Sequence, residues 1–379
     1  MKIKVKKYDY ICCVLESDFM AKMLTIGITQ GDSNGIGYEV IIKALLDARV
    51  LDMFVPVVYG SSKFFGFNKK LIPGAEAMNT NVISAASEAK AKRVNIINCV
   101  PDSFNIEFGK STREGAEAAM ASLKAAVDDL ESGAIDALVT APFNKHSMAE
   151  SGFAFPGHTE YLESRFPGGH SLMFMCSDRL KIGVATNHTP LKDVPGALNI
   201  DLILEKLRIM NASLKRDFCI DRPKIALLGL NPHAGDDGSL GREEQQIIAP
   251  AQEVAFAEGI MAFGPFSPDG FFGTNQYTKF DAVLAMYHDE GLIPFKTIAF
   301  DEGVNYTAGL PVVRTSPDHG TGYDIAGKNL ASPQSMLYAI YMAIDIVNHR
   351  ATYDEATANP LQVKVFESRN APDRSYLPE

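Results

Sequence analysis

The sequence predicts an α/β fold built on a largely parallel sheet, and three observations carry that prediction. Short apolar, β-branched runs alternate with helical patterns along most of the chain, the order in which parallel strands and their crossover helices are laid down. Three of these runs end alike, each at a polar loop with one histidine. Run 182–186 leads into Asn187 and His188, run 225–230 into Asn231, Pro232 and His233, and run 282–286 into Tyr287, His288, Asp289, Glu290 and Gly291. The 379 residues also exceed what one core usually fills, so two domains are expected.

The elements follow in order. Run 24–29 predicts the first strand, and QGDSNGIG after it opens a helical pattern through Leu46. Strand, glycine-rich turn and helix can aim backbone N–H groups at an anion. The spacing is neither the dinucleotide fingerprint nor a Walker loop, so a plain tight βα turn accounts for it equally well. Runs 54–59 and 94–97 read as strands, and the rest of 60–110 as irregular. Residues 111–133 predict a helix. Ser111 and Glu114 suit a capping box, apolar residues recur at helical spacing, and Gly133 sits where a C′ glycine belongs. Run 137–140 reads as a strand, and the 310–313 run as another, closed by Arg314. Ser332 and Pro333 cap the last helix, whose buried face is Met336, Leu337, Ile340, Ile344 and Val347, and the polar tail after His349 reads as a surface appendage.

In an open parallel sheet the carboxyl ends of the strands share one edge, where ligands bind, so His188, His233 and His288 can converge. Three neutral imidazoles suit Zn²⁺ or Co²⁺ and leave positions open for a substrate, although a histidine at a strand end is also a common hydrogen-bonded structural residue. Asp289 beside them reads as a ligand, an orienter of a ligand, a base, or a loop cap. Lys145 follows the strand at 137–140, and His158 and Thr159 open an amphipathic segment, a helix start that suits a phosphate or carboxylate. Lys296, Asn305 and Arg314 form either an anion clamp or a set of solvated loop residues in ordinary ion pairs.

Composition narrows the classes. Acidic residues number 46 against 36 basic, for a net charge of −10, and no basic cluster with interleaved aromatics occurs, which argues against a nucleic-acid protein. An anionic substrate then requires a local basic pocket. No apolar run reaches membrane-spanning length. The odd set of five cysteines lacks a C-x-x-C spacing and reads as reduced thiols in a cytoplasmic protein. Residues 1–22 are expected to lie outside the fold, with translation starting at Met20 or Met23.

TQGDSNGIG, VTAPFNK, FPGHTEYL, TNHTPLKDV, GLNPHAGDDGSLGREE, AMYHDEGLIPFK and GVNYTAGLPVVRTSPDHGTGYDIAG together resemble the 4-hydroxythreonine-4-phosphate dehydrogenase (PdxA) family, with the motifs in order from Leu24 to about Asn348. The resemblance implies a two-domain fold like that of isocitrate and isopropylmalate dehydrogenases, with a cleft between the domains. Residues 23–140 plus 310–379 would form the cofactor side, and 141–309 the metal, substrate and dimerisation side. It implies a homodimer whose divalent metal (Zn²⁺, Co²⁺ or Mg²⁺) is held by His188, His233 and His288 and shared between subunits. It places the small phosphorylated substrate on His158, Thr159, Lys296, Asn305 and Arg314, and NAD or NADP on His319, Gly320 and Asp324. Lys145 and Asp289 are the candidate catalytic groups. The implied reaction is oxidation of 4-phosphooxy-L-threonine followed by decarboxylation. Two departures, Asn144 in TAPFNK and Ser33-Asn34 in the first glycine loop, leave room for a relative that oxidises 4-phospho-threonate or -erythronate.

Overall fold

The computed structural model describes residues 23–168 and 170–360. The extension 1–22 lies outside the described residues. Among those described, the strands are β1 Thr25–Thr29, β2 Val55–Gly60, β3 Thr80–Ile83, β4 Val94–Asn98, β5 Ala137–Thr140, β6 Leu172–Cys176, β7 Lys181–Val184, β8 Lys224–Leu228, β9 Met261–Phe266, β10 Ala282–Ala285, β11 Val304–Ala308 and β12 Arg314–Pro317. They form one sheet in the order β3-β4-β2-β1-β5-β12-β11-β6-β7-β10-β8-β9.

Pairing is parallel from β3 to β12 and again from β7 to β9. It is antiparallel at β12/β11, β11/β6 and β6/β7, so the two parallel blocks run in opposite directions. The apolar runs β5, β6 and β10 are buried at every residue, as strands covered on both faces must be. The α/β class expected from the alternation is the observed one. No helix among the described residues is long and apolar enough to cross a membrane.

Several local expectations need correction. The long helix is Arg113–Glu131, capped by Thr112, whose hydroxyl accepts from Gly115 N, and not by Ser111. Glu114 instead accepts from Asn105 N, while Gly133 does take the left-handed conformation expected of it. The stretch read as irregular contains the helix Ser62–Lys69, capped by Ser61, and β3. β3 escaped notice because it is a four-residue edge strand with Val82 in solvent, so no apolar alternation marks it.

Tyr287 to Gly291 is not a loop: a helix begins at His288 and runs to Ala299, with Glu290 reaching back to Met286 N at 2.5 Å. Lys296 therefore stands on a helix. The 310–313 run is a connector, and the strands lie on either side of it as β11 and β12. The last helix, Gln334–Thr357, continues past His349, and Arg350 is buried on it, so residues 350–357 of the stretch read as an appendage belong to the helix. Residues 361–379 lie outside the described residues.

Candidate active site

A cleft of about 330 Å³ lies across the central strands. Its floor takes alternate residues from neighbouring strands: Thr140 of β5, Arg314 and Ser316 of β12, Asn305 of β11, and Met173 and Met175 of β6. One wall is Lys145 with the start of the helix His158–Arg165, namely His158, Thr159 and Glu160. The opposite wall is His188 and, on the next helix, His288, Leu292 and Lys296. Asp318, His319 and Gly320 close one end.

The floor carries a buried cation that makes no ion pair among the described residues. Arg314 is 3% exposed, and its guanidinium donates only to hydroxyls, through Nε and Nη2 to Thr140 Oγ1 (3.0 and 2.6 Å) and through Nη1 to Thr307 Oγ1 (3.1 Å). Burial pushes its pKa down to about 9, with Glu160 opposing, so it remains charged at neutral pH. A desolvated charge without a counter-ion is costly unless a ligand completes it.

Unpartnered buried polar atoms gather at the same place. His158 Nε2, Asn187 Oδ1, Asn305 Oδ1, Asp318 Oδ2 and His319 Nε2 all line or flank the cleft without a hydrogen-bond partner. Native proteins satisfy nearly all such atoms, and a cluster of exceptions marks a place where solvent or a ligand supplies the partners. His158 packs its ring on Phe143, centroids 4.0 Å apart. Burial, then Arg314 and Lys145, hold it well below the ordinary histidine pKa and therefore neutral. His319 Nδ1 faces the Gly320 carbonyl at 3.0 Å, which fixes the proton there and leaves Nε2 an acceptor. Lys296 pairs with Asp318 Oδ1 at 3.1 Å.

The histidines divide two to one. β7, β10 and β8 are parallel neighbours, as a shared strand edge requires. His188 and His288 stand with ring centroids 5.7 Å apart. Burial, then Lys145 and His288, lower the pKa of His188, and Lys145 Nζ lies 3.3 Å from its Nε2. Asp289 Oδ1 holds His288 Nδ1 at 2.7 Å, which is the orienting role among those left open for it.

His233 does not join them within the chain. Residues 233–237 all adopt left-handed backbone, a turn costing roughly 1–2 kcal/mol per ordinary residue, and His233 faces solvent. Buried Glu244 braces this turn by accepting from Asn231 N at 2.7 Å. His233 lies in a separate groove of about 880 Å³, with Asp269, Phe272 and Ile293. Among the described residues, no group of three or more His, Cys, Asp or Glu side chains is placed to hold a metal.

Of the remaining expected residues, Thr159, Gly320 and His319 line the cleft. Asp324 does not: its side chain is exposed, and its carbonyl accepts from Lys328 Nζ at 2.7 Å. Asn144, one of the two departures, caps the helix Lys145–Glu150 by accepting from Ser147 N. Reading the sequence missed Thr140, Met173, Met175 and Asn187. Only Asn187, beside His188, carried a signal, because the others are ordinary strand residues until β5, β12, β11 and β6 are paired.

Fold and cleft together define an α/β protein with a candidate site across the central strands. A crystal structure of a terephthalate 1,2-cis-dihydrodiol dehydrogenase from Burkholderia xenovorans superposes with a TM-score of 0.57 at 25% identity, covering 86% of this chain and 98% of that one. A 4-hydroxythreonine-4-phosphate dehydrogenase from Klebsiella pneumoniae superposes with a TM-score of 0.73 at 33% identity, covering 86% of this chain and 99% of that one. A relative from Bacteroides thetaiotaomicron bearing the same name is 47% identical over 355 residues, 93% of this chain and 97% of its own length. The profile of the pyridoxal phosphate biosynthetic protein PdxA matches residues 52–343, and the chain belongs to that family.

Proposed function

We propose that the protein oxidises 4-phosphooxy-L-threonine at C3 in pyridoxal phosphate synthesis, with NAD or NADP as acceptor and a divalent metal as Lewis acid. The observation that carries this reading is Arg314, a buried cation on the cleft floor with no ion-pair partner among the described residues, in a family whose relatives bear the corresponding name.

The chain's own groups have complementary tasks. Arg314, His158 and Thr159 receive the phosphate, with the start of the helix His158–Arg165 contributing backbone donors. Asn305 Oδ1 accepts from a substrate N–H or O–H group, and His319 Nε2 is left for the nicotinamide cofactor. Lys296, already tied to Asp318, holds a substrate oxygen, and Met173 and Met175 shape the floor and exclude water. Lys145 is the group positioned to hold or move the proton of the C3 hydroxyl, since it already lies beside His188. Oxidation at C3 leaves a β-keto acid, whose carbonyl accepts the electron pair as CO₂ departs, giving 3-amino-2-oxopropyl phosphate.

The donor set fits a soft or borderline divalent metal. His188 is held neutral, and His288 is oriented by a carboxylate. We assign the third donor to His233 of the partner subunit in a homodimer, which agrees with its exposure on a strained turn away from the other two. A metal held by these histidines would supply Lewis acidity toward the substrate hydroxyl, and a nicotinamide beside His319 and Gly320 would supply the hydride acceptor. A cytoplasmic location accords with this metabolic role.

The test is NAD(P) reduction by the purified protein with 4-phosphooxy-L-threonine and with 4-phospho-D-threonate, each with and without EDTA. EDTA-sensitive turnover of the amino acid, with one CO₂ per NAD(P)H, is expected. Preference for the sugar acid would transfer the protein to sugar-acid catabolism, and no turnover of either would refute the reading.

A further inference from the structure

The glycine-rich loop after β1 is not an anion cradle. Gln30, Asp32, Ser33 and Asn34 are each no more than 2% exposed. The amides that an anion would need already donate within the protein. Asp32 N goes to Pro142 O, Asn34 N to Asp32 Oδ1, Gly35 N to Asp32 O, and Ile36 N to Thr321 O. Close packing accounts for its glycines, Gly31 against Pro142, Gly37 against Gln30, and Gly35 against the 319–327 segment. A Cβ on Gly35 would stand 2.5 Å from Thr321 O, and one on Gly322 2.9 Å from Ile36.

At the centre of this contact the Tyr323 hydroxyl donates to Asp32 Oδ2 at 2.6 Å, while Asp32 Oδ1 is held by Asn34 N at 2.9 Å. One buried carboxylate thus ties the first βα turn to the segment whose leading residues, His319 and Gly320, enter the cleft. We propose that Asp32 and Tyr323 are a positioning pair that latches the 319–327 segment and thereby sets the affinity for the nicotinamide dinucleotide. This rests on the dehydrogenase reading above and extends it to residues outside the cleft. Neither side chain touches substrate. Their effect is to hold His319 and Gly320 in place, so that ordering the segment is not charged against cofactor binding.

The experiment is NADH binding, followed by nucleotide fluorescence without turnover, to the wild type, Tyr323→Phe, Asp32→Asn and the double variant. Tyr323→Phe keeps the ring and removes only the hydroxyl. It is expected to weaken NADH binding about 10-fold, the scale of one hydrogen bond to a charged group. Its KM for the phosphorylated substrate and its kcat at saturating cofactor should stay within about twofold, because Arg314, His158, Thr159, Lys296 and Asn305, which receive that substrate, lie outside the latched segment. The double variant should be no weaker than the weaker single, since both remove the same link. NADH affinity unchanged in Tyr323→Phe, with only thermal stability lowered, would overturn the latch. Fully additive losses in the double variant would overturn it as well. Wild-type protein that binds neither NADH nor NADPH would instead overturn the cofactor reading, so the two failures are distinguishable. Should Tyr323→Phe fail to fold, Asp32→Asn supplies the same comparison.

Discussion

Two buried arginines occupy opposite faces of the same central strands, and they differ in one respect. Arg314 faces the cleft beside Asn305, and its guanidinium donates, among the described residues, to two threonine hydroxyls and no carboxylate. Arg350, on the last helix, meets the other face of β11. It pairs with Asp217 Oδ1 at 2.7 Å, donates to Tyr306 OH at 2.9 Å, and donates to the Pro311 carbonyl at 2.9 Å. Asp217 is in turn completed by Ser213 and Tyr306, both at 2.6 Å. Adjacent residues of β11, Asn305 and Tyr306, thus point to opposite faces, one into an unfinished polar set and the other into a finished one. A finished buried network holds the fold together. An unfinished one is kept because something outside the chain completes it.

This contrast makes separable predictions. The largest effects belong to the cleft. His188→Ala and His233→Ala should each abolish turnover, by more than about 10³-fold, with little change in melting temperature, because each removes a proposed metal donor from a formed surface. If the donors come from two subunits, mixing the two dead variants should restore about a quarter of wild-type activity, since half of randomly paired dimers are mixed and carry one intact site. A mixture that stays dead would place all donors in one chain.

Next is Arg314→Met. It should raise KM for the phosphorylated substrate about 30- to 4,000-fold, the range for truncating one side of a buried charge pair, while leaving stability equal or improved. Urea melts and steady-state kinetics on the same preparation would check both halves. Arg350→Met should do the reverse. Leaving Asp217 uncompensated should cost roughly 3–5 kcal/mol of stability, with KM unchanged in the folded fraction. Comparable KM effects from the two variants would break the comparison.

The smallest effect is a pH dependence. His158 is held below its ordinary pKa of 6.5, first by burial and then by Arg314 and Lys145. As pH falls through 6.5 the unfolded chain binds a proton that the folded protein refuses, so stability is lost on the acid side, by at most ~1.4 kcal/mol per pH unit. His158→Asn should therefore gain on the wild type in urea melts taken from pH 7.5 down to 5.5. A constant difference across that range would mean that His158 is not held neutral.

The contrast also marks what the sequence discloses. His188, His288, Lys296, Asn305, Arg314 and His319 were legible because they punctuate apolar runs or sit in motifs, and those signals are local. Arg350 was misread as part of an appendage, since nothing in a polar helical end reveals an aspartate 133 residues earlier. His233 shared the strand-end pattern of the other two histidines, but its direction is set by five left-handed residues that no periodicity announces. Thr140, Met173 and Met175 became site residues only through register, a property of strand pairing. The glycine loop kept two readings open until its amides could be followed to their acceptors.

The most direct test of the central claim compares kcat/KM for 4-phosphooxy-L-threonine with that for unphosphorylated 4-hydroxy-L-threonine, in the wild type and in Arg314→Met. If the unpaired arginine awaits the phosphate, the wild type should strongly prefer the phosphorylated substrate and the variant should lose most of that preference. A variant that keeps the full preference, merely slower on both, would contradict it.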